Sequence, residues 1–405
     1  MTTLVTRKNQ TDVDRIHTDD CCVHHYDNGI AGIWSQSGNI GMFTTLVLEQ
    51  VSALDASCVF LFHSSTCCDS ASLMQALSSL PAEVAVSGCS SSGEVTPDGL
   101  SDGGIVAILL PRRSFTVASA VLENVSDLGM DQVAESVQNL KLALSGKTGE
   151  EDFSQVFAIS LIDGLSYSEE ATTAALNRGL ADIPLIGGSA GDNLQFQSTS
   201  QIHNGQIYSN SAVLTLIRSS IPFKVFTNNN FVPTDFKLVV TTSDPDHRNV
   251  QEFNGEPAAI VYARAIGLDP ESLTPESFAS HPVVVKVGGE YYCRSIQKSE
   301  DDHSLTFFCA IDNGIVLTIA KPTGMVKSTE KILASLTSEL GSINMILGFD
   351  CILRRLDATN RGTLDNISRV YSDANVIGFG TYGEQFESMH INQTFTGIAF
   401  GPKPD

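Results

Sequence analysis

The sequence predicts an α/β protein of the mixed α+β kind: two domains of mixed sheets flanked by helices, built on an internally repeated β-α-β-Gly-turn-β unit. Three observations predict it. Three segments repeat one order of punctuation. Each opens with a short apolar run suited to a buried strand and closes with another. A β-rich stretch between the second and third segments marks a change of domain, and 405 residues are too many for one ordinary core.

The first segment runs VFLFHSSTCCDSASLMQAL, AEVAVSGCSSSGEV and GGIVAILL over 59–110. The second runs VFAISLIDGLSYSEEATTAALNRGL, ADIPLIGGSAGDN and SAVLTLI over 156–217. The third runs from INMILGFDCILRRLDATNRG through ANVIGFGTYGEQ to TFTGIAF over 343–400. The opening strands end on polar residues, His63, Asp163 and Asp350. A helix follows, and in the second unit Ser166 or Ser168 is the candidate cap, with Glu169 and Glu170 favouring the helix dipole. A second strand then ends in a turn of small residues closed by glycine and an acid: Gly93-Glu94, Gly191-Asp192 and Gly383-Glu384. His63 to Gly93 is 30 residues, Asp163 to Gly191 is 28 and Asp350 to Gly383 is 33, so the spacing follows the order.

The strand FKLVVTT leads to a helix beginning near Pro257 and stopping at Gly267, with Ala258, Val261, Tyr262 and Ala265 on its apolar face. HPVVVKVGGEYYCRSIQ and LTFFCAIDNGIVLTIA read as strands, and Pro322-Thr323-Gly324 introduces a helix over 328–340. The expected organisation is a flank at 1–40 and domains at 41–220 and 221–405.

An excess of 46 acidic over 24 basic residues gives a net charge of −22, which repels phosphate backbones and anionic lipid and excludes nucleic acid as the expected partner. The polar N-terminus and the lack of a long apolar run predict a cytoplasmic protein that is neither secreted nor membrane-spanning. Nine cysteines, an odd number with adjacent pairs at Cys21/Cys22 and Cys67/Cys68, read as thiols.

Glycine turns at strand ends bring main-chain N–H groups and small hydroxyls to a sheet edge, where a ligand can approach closely. Ser91, Ser189 and Thr381 supply donors there, and Glu94, Asp192 and Glu384 can orient an amine; equally, the acids read as local caps in tight packing. Gly187-Gly188-Ser189-Ala190-Gly191 fits G-x-S-x-G, the nucleophile elbow of a serine hydrolase, but the polar, β-like NLQFQSTSQIHNGQIYSN follows where an elbow needs a helix. A hydrolase using Ser189 is therefore the minor alternative, and the chain is expected not to be an enzyme. Cys21-Cys22-Val23-His24-His25 holds four soft or borderline ligands in five residues, but neighbours rarely share one metal, so it reads as a surface segment.

SGCSSSGEV, IGGSAGDN, HNGQIYSNSAVLTLI, FNGEPAAIVYARAIG, FDCILRR, and GFGTYGEQ followed by HINQTFTGIAFG together resemble the FIST family from about residue 40 onward. The N-terminal FIST domain precedes the C-terminal one. The residues matching its motifs are Gly88, Cys89, Gly93, Glu94, Gly188, Ser189, Gly191, Asp192, Asn254, Gly255, Tyr382, Gly383, Glu384 and Asn392. The resemblance implies a sensory module that binds a small, amino-acid-like ligand and signals to kinases, cyclic-dinucleotide enzymes or chemotaxis receptors. A free-standing chain of this length is similar to the nitric-oxide-sensing branch, which implies haem and a separate sensor histidine kinase as partner. No motif fixes an iron ligand, so His63, His203, His390, Cys89 and the N-terminal cluster stay open as candidates, as does assembly into a homo-oligomer.

Overall fold

A computed structural model describes residues 15–17 and 20–403, so most of the polar N-terminal stretch read above lies outside the described residues. Helix makes up 28% and strand 39%, in several mixed sheets flanked by helices, as the sequence predicts.

The first unit begins with β1 (Arg15–His17), β2 (Cys21–His25) and β3 (Ala31–Ser35), then α1 (Ile40–Leu54), β4 (Ala56–Ser64), α2 (Ser70–Ala76) and β5 (Ala85–Ser91). A hairpin, β6 (Glu94–Thr96) and β7 (Gly99–Ser101), precedes β8 (Ile105–Pro111). The second unit is β9 (Phe115–Glu123), α3 (Met130–Thr148), β10 (Val156–Ile162), α4 (Glu169–Leu180) and β11 (Leu185–Ser189), followed by the hairpin β12 (Gln201–His203) and β13 (Gln206–Tyr208), and by β14 (Ser211–Ser219).

The third unit starts with β15 (Phe223–Asn228) and is then interrupted by a lobe of β16 (Phe231–Asp244), β17 (Asn249–Phe253), β18 (Glu256–Pro257), α5 (Ala258–Ile266), α6 (Pro275–Ser280), β19 (Val283–Val287), β20 (Glu290–Arg294), β21 (Ile296–Ser299), β22 (Leu305–Phe307) and β23 (Val316–Pro322). It resumes with α7 (Met325–Leu340), β24 (Met345–Cys351), α8 (Ile352–Asn360), α9 (Leu364–Asp373) and β25 (Val376–Thr381). The hairpin β26 (Glu384–Phe386) and β27 (Met389–Ile391) and then β28 (Phe395–Phe400) complete it.

The pairing repeats three times. β4, β10 and β24 each run parallel to the strand after their helix and antiparallel to the unit's last strand. These strands are buried on both faces, which is why they read as continuous apolar runs. Their inner faces share one core, including Phe60, Phe62, Phe157, Ile159, Phe349 and Phe379, with the Phe62 and Phe379 rings stacked 4.3 Å apart. Their outer faces are covered by α1 and α2, by α3 and α4, and by α7 and α9. The strands β3, β9 and β15, each at the head of its unit and paired with that unit's last strand, were not distinguished in the sequence as part of the repeat.

Each hairpin leaves its own unit. β6 pairs with β25 of the third unit, β26 with β11 of the second, and β12 with β5 of the first, closing a cycle. A strand edge that would otherwise be open is thereby paired.

Local signals set the helices. α5 ends at Gly267 in a left-handed cap, as predicted, and Asp69 accepts from the Ser72 N–H at 2.8 Å to start α2. Ser168 occupies the cap position of α4 but makes no side-chain cap bond. The segment 21–25 is a strand, with Cys21 and Val23 in the core beneath α1 and Cys22 packed toward the central core. The alternation of a strand separates the four candidate ligands onto opposite faces, so this segment is part of a sheet rather than a surface stretch.

Arg354 fastens the third unit. Its guanidinium is 1% exposed and donates to Asp350 at 2.7 Å, Asn230 at 3.0 Å, Tyr371 at 3.2 Å and Thr329 at 3.3 Å. Arg354→Met leaves the buried Asp350 carboxyl without its cation and should cost about 3–5 kcal/mol in denaturant unfolding. Adding Asp350→Leu should recover much of that loss, because the unpaired charge is then gone.

Candidate functional site

The three glycine turns meet where the parallel strand pairs end. Ser92 donates to the Gly380 carbonyl at 2.8 Å, and Gly380 to that of Gly93 at 2.7 Å. Ser189 donates to Gly383 at 2.7 Å, Tyr382 to Ser189 at 3.1 Å, and Gly191 to Ser90 at 3.2 Å. The ring leaves no room for side chains at two of its glycines. Gly93 sits at φ +96° against the Arg355 guanidinium, and a Cβ on Gly191 would strike the Ser92 hydroxyl.

The acids behind these turns have different jobs. Glu94 is 1% exposed, accepts from Ser91 Oγ at 2.6 Å, and leaves its other oxygen without a partner among the described residues. Glu384 accepts from Thr381 Oγ1, and from Thr394 through Oγ1 at 2.6 Å and N–H at 3.2 Å. Burial pushes each carboxyl up to about 8, so both hold a proton at neutral pH. Asp192 instead organises a loop: its carboxylate accepts from the N–H groups of Phe196 at 2.9 Å, Gln197 at 2.7 Å and Ser198 at 3.0 Å, and from the Tyr382 hydroxyl. Tyr382 also receives the Leu194 N–H at 2.7 Å. In the first and third units the acid begins the hairpin, whereas in the second this loop delays the hairpin to Gln201.

The loop forms one wall of a cleft of about 1080 Å³ between the second unit and the inserted lobe. Tyr167 and Phe196 line it from the core side, 54% and 37% exposed, at φ +58° and +51°. Bulky side chains at positive φ are strained, and strain of this kind gathers at functional sites. The lobe contributes the amides of Asn249, Gln251 and Gln297, the hydroxyls of Ser304 and Thr306, and the charged groups of Asp244, His247, Lys298, Glu300, Asp301 and Asp302. Arg248 joins the two sides beneath the cleft. It contacts Glu169 at 2.6 Å, Glu170 at 2.8 Å and the Phe308 carbonyl at 2.7 Å, and lies 5.0 Å from the centre of the Tyr167 ring.

A model of the FIST N domain matches residues 57–256, and one of the FIST C domain matches residues 258–387. The chain belongs to the FIST family. That membership carries a sensory, small-ligand-binding role. The chain is 24% identical to uncharacterized protein MJ1623 of Methanocaldococcus jannaschii over 268 residues, 58% of this chain and 51% of the relative, so it spans about half of that relative's length. A solved cyanuric acid hydrolase from A. caulinodans aligns over 94% of this chain and 99% of its own at 8% identity and a TM-score of 0.39.

The FIST turn residues chosen from sequence support the cleft more than they line it. Cys89, Ser91, Glu94, Ser189, Asp192, Tyr382, Glu384 and Asn392 are 3% exposed or less, and Gly93, Gly191 and Gly383 complete the ring. Asn392 donates to the Tyr382 carbonyl at 3.3 Å. The Ser189 hydroxyl accepts from the Gln385 amide at 2.9 Å, and that amide stands between it and His390 Nδ1, so Ser189 is not paired with a base.

Three candidate iron ligands, His63, Cys89 and His203, lie on the adjacent strands β4, β5 and β12, and His390 lies on β27. His63 Nε2 bonds Ser70 Oγ at 2.8 Å, His203 Nε2 bonds Ser119 Oγ at 3.1 Å, His390 meets Gln385, and Cys89 lies in the central core. Burial lowers all three imidazoles and raises the Cys89 thiol. The clefts of about 1080, 520 and 440 Å³ are lined by none of the four. Across the described residues no three His, Cys, Asp or Glu side chains converge as a metal site, and no helix is long and apolar enough to cross a membrane.

The residues that sequence reasoning missed are Tyr167, Phe196 and Arg248. The signal of the two aromatics was faint, a large side chain beside Asp-Gly, Gly-Asp and serine turns, and Arg248 carried none.

A raised carboxyl pKa sets the direction of a pH effect. Between the ordinary Glu value of 4.5 and about 8, folded Glu94 keeps a proton that the unfolded chain has lost, so stability falls as pH rises through that window. Each such group contributes up to about 1.4 kcal/mol per pH unit. Glu94→Gln should therefore lose less thermal stability than the parent between pH 5 and pH 8. Equal losses in scanning calorimetry would show that Glu94 is ionised in the fold.

Proposed function

We propose that this FIST protein is a sensor that takes a small amino-acid-like ligand in the cleft between its second unit and its inserted lobe, and reports occupancy to a separate signalling enzyme such as a sensor histidine kinase. The observation that carries the reading is the pair of exposed aromatics, Tyr167 and Phe196, held at positive φ opposite a polar wall of mixed charge. An ammonium group is attracted both by ring faces and by the carboxylates of Asp301 and Asp302. A carboxylate finds Lys298 and His247, and the amides of Asn249, Gln251 and Gln297 serve either end. A zwitterion uses both signs, whereas a simple anion or cation leaves one unused.

The output follows from the same geometry. Arg248 belongs to the lobe and its acidic partners to α4, so a ligand that draws on Tyr167 or Asn249 acts beside the bond joining the two sides. Better binding to one lobe position shifts the population toward it, and the partner enzyme reads the altered surface. The chain acts by binding; turnover is no part of this reading.

A thermal-shift screen of amino acids and small amines at millimolar concentration should find a stabilising compound. Calorimetry should then show Tyr167→Ala and Phe196→Ala each weakening it about tenfold, or about 1.4 kcal/mol. If no compound shifts the melting temperature while haem gives a saturable Soret band that moves with nitric oxide, the cleft reading fails in favour of a haem sensor.

A further inference from the structure

We propose that Cys67 and Cys68 form a peroxide-oxidisable pair whose closure to a vicinal disulfide loosens the loop that walls the cleft. The inference stands without the ligand reading. It rests on where these two thiols lie and on what their turn holds.

β4 ends at Ser64, and the chain turns through exposed Ser65 and Thr66. The N–H groups of Cys67 and Cys68 both donate to the Ser64 carbonyl, at 3.0 and 3.3 Å, which tightens the turn. Cys67 is half-buried and Cys68 is 9% exposed. The neighbouring Cys68 thiol holds Cys67 below the usual thiol range, while Cys67 and burial push Cys68 above it. By contrast Cys58, Cys89, Cys293, Cys309 and Cys351 are wholly buried, and burial raises every one of them. Reactivity toward oxidants follows thiolate character and access, and a resolving thiol is already beside Cys67.

The chemistry balances with a peroxide as oxidant. The Cys67 thiolate attacks one peroxide oxygen, the O–O bond breaks, and Cys67 becomes a sulfenic acid while the leaving hydroxide takes up a proton. The Cys68 sulfur then attacks the Cys67 sulfur, and the sulfenic hydroxyl leaves as the second water. Two thiols and one peroxide give one disulfide and two waters. The bond draws the sulfurs to about 2.05 Å and closes a small ring through the peptide between them. Such strained disulfides are readily reduced again, as a reversible switch requires.

The same turn anchors the cleft loop. Asn193 donates through Nδ2 to Ser64 Oγ at 2.8 Å and more weakly to Thr66 Oγ1 at 3.4 Å, and its N–H donates to Ser92 Oγ at 3.3 Å. It stands at φ +56°, a left-handed conformation that its side-chain bonds help to hold. Phe196 and Gln197 follow it into the cleft wall. Re-aiming the peptide between Cys67 and Cys68 disturbs the N–H bonds to the Ser64 carbonyl that hold this turn, and with them the Ser64 and Thr66 hydroxyls on which Asn193 is anchored.

The test uses the reduced full chain treated with hydrogen peroxide, then alkylated and digested for mass spectrometry, with hydrogen exchange followed over 193–198. Expected is a peptide spanning Cys67 and Cys68 that has lost two hydrogens, takes no alkyl group, and recovers both thiols with a phosphine reductant. Exchange over 193–198 should become at least about threefold faster on oxidation and return on reduction. Cys67→Ser should abolish both changes and Cys89→Ser neither, while the oxidation and reversal in the parent chain decide the matter even if a variant fails to fold. Two alkylated thiols after peroxide, or equal exchange in the two redox forms, would overturn the proposal.

Discussion

The cyclic exchange of hairpins is the constraint on which the rest of this structure depends. A unit alone has a parallel pair with its last and leading strands added antiparallel on one side, and the outer edge of β5, β11 or β25 would be an open row of N–H and C=O groups. Each edge is paired by the hairpin of one neighbour, and the three pairings close a cycle, so no unit completes its sheet alone. Closure also brings the three glycine turns into one hydrogen-bonded ring and seals Glu94 and Glu384 away from water. Their retained protons follow from closure, because an ionised carboxyl there would lose hydration with no full ion pair in return.

The repeat is broken where the cleft lies. In the first and third units an acid passes directly from the turn into the hairpin, whereas Asp192 spends its oxygens on three backbone N–H groups and holds an extra loop in place. That loop carries Phe196 toward the lobe, which is itself inserted between β15 and α7 of the third unit. Two departures from threefold regularity therefore face each other, and Arg248 ties them together with a nearly buried ion pair. Burying such a pair is a weak source of stability, so its value lies in fixing how lobe and core sit.

Much of the fold was legible. The runs VFLF, VFAISLI and MILGF announce strands buried on both faces, and Gly267 announces the end of α5 because only glycine takes its left-handed cap cheaply. The turns at Gly93, Gly191 and Gly383 were found because close backbone approach demands glycine there. The leading strands β3, β9 and β15 were missed, since nothing local distinguishes a strand that heads one unit from one that ends another. CCVHH resembled a ligand cluster until its strand alternation placed Cys21 and Val23 in the core.

The sequence by itself determined the class of fold, the three turns and the family, because strand periodicity, runs of glycine and small residues at strand ends, and motif order are local properties carried along the chain. The tertiary structure alone decided which hairpin completes which sheet, that Glu94 and Glu384 keep their protons, and that Tyr167 and Phe196 share a cleft with residues of the lobe. Those outcomes depend on burial and on contacts between residues far apart in the chain. The acid after the turn glycine is a buried glutamic acid in two units and a loop-anchoring aspartate in the third, and what surrounds each one, which only the fold supplies, shows its role.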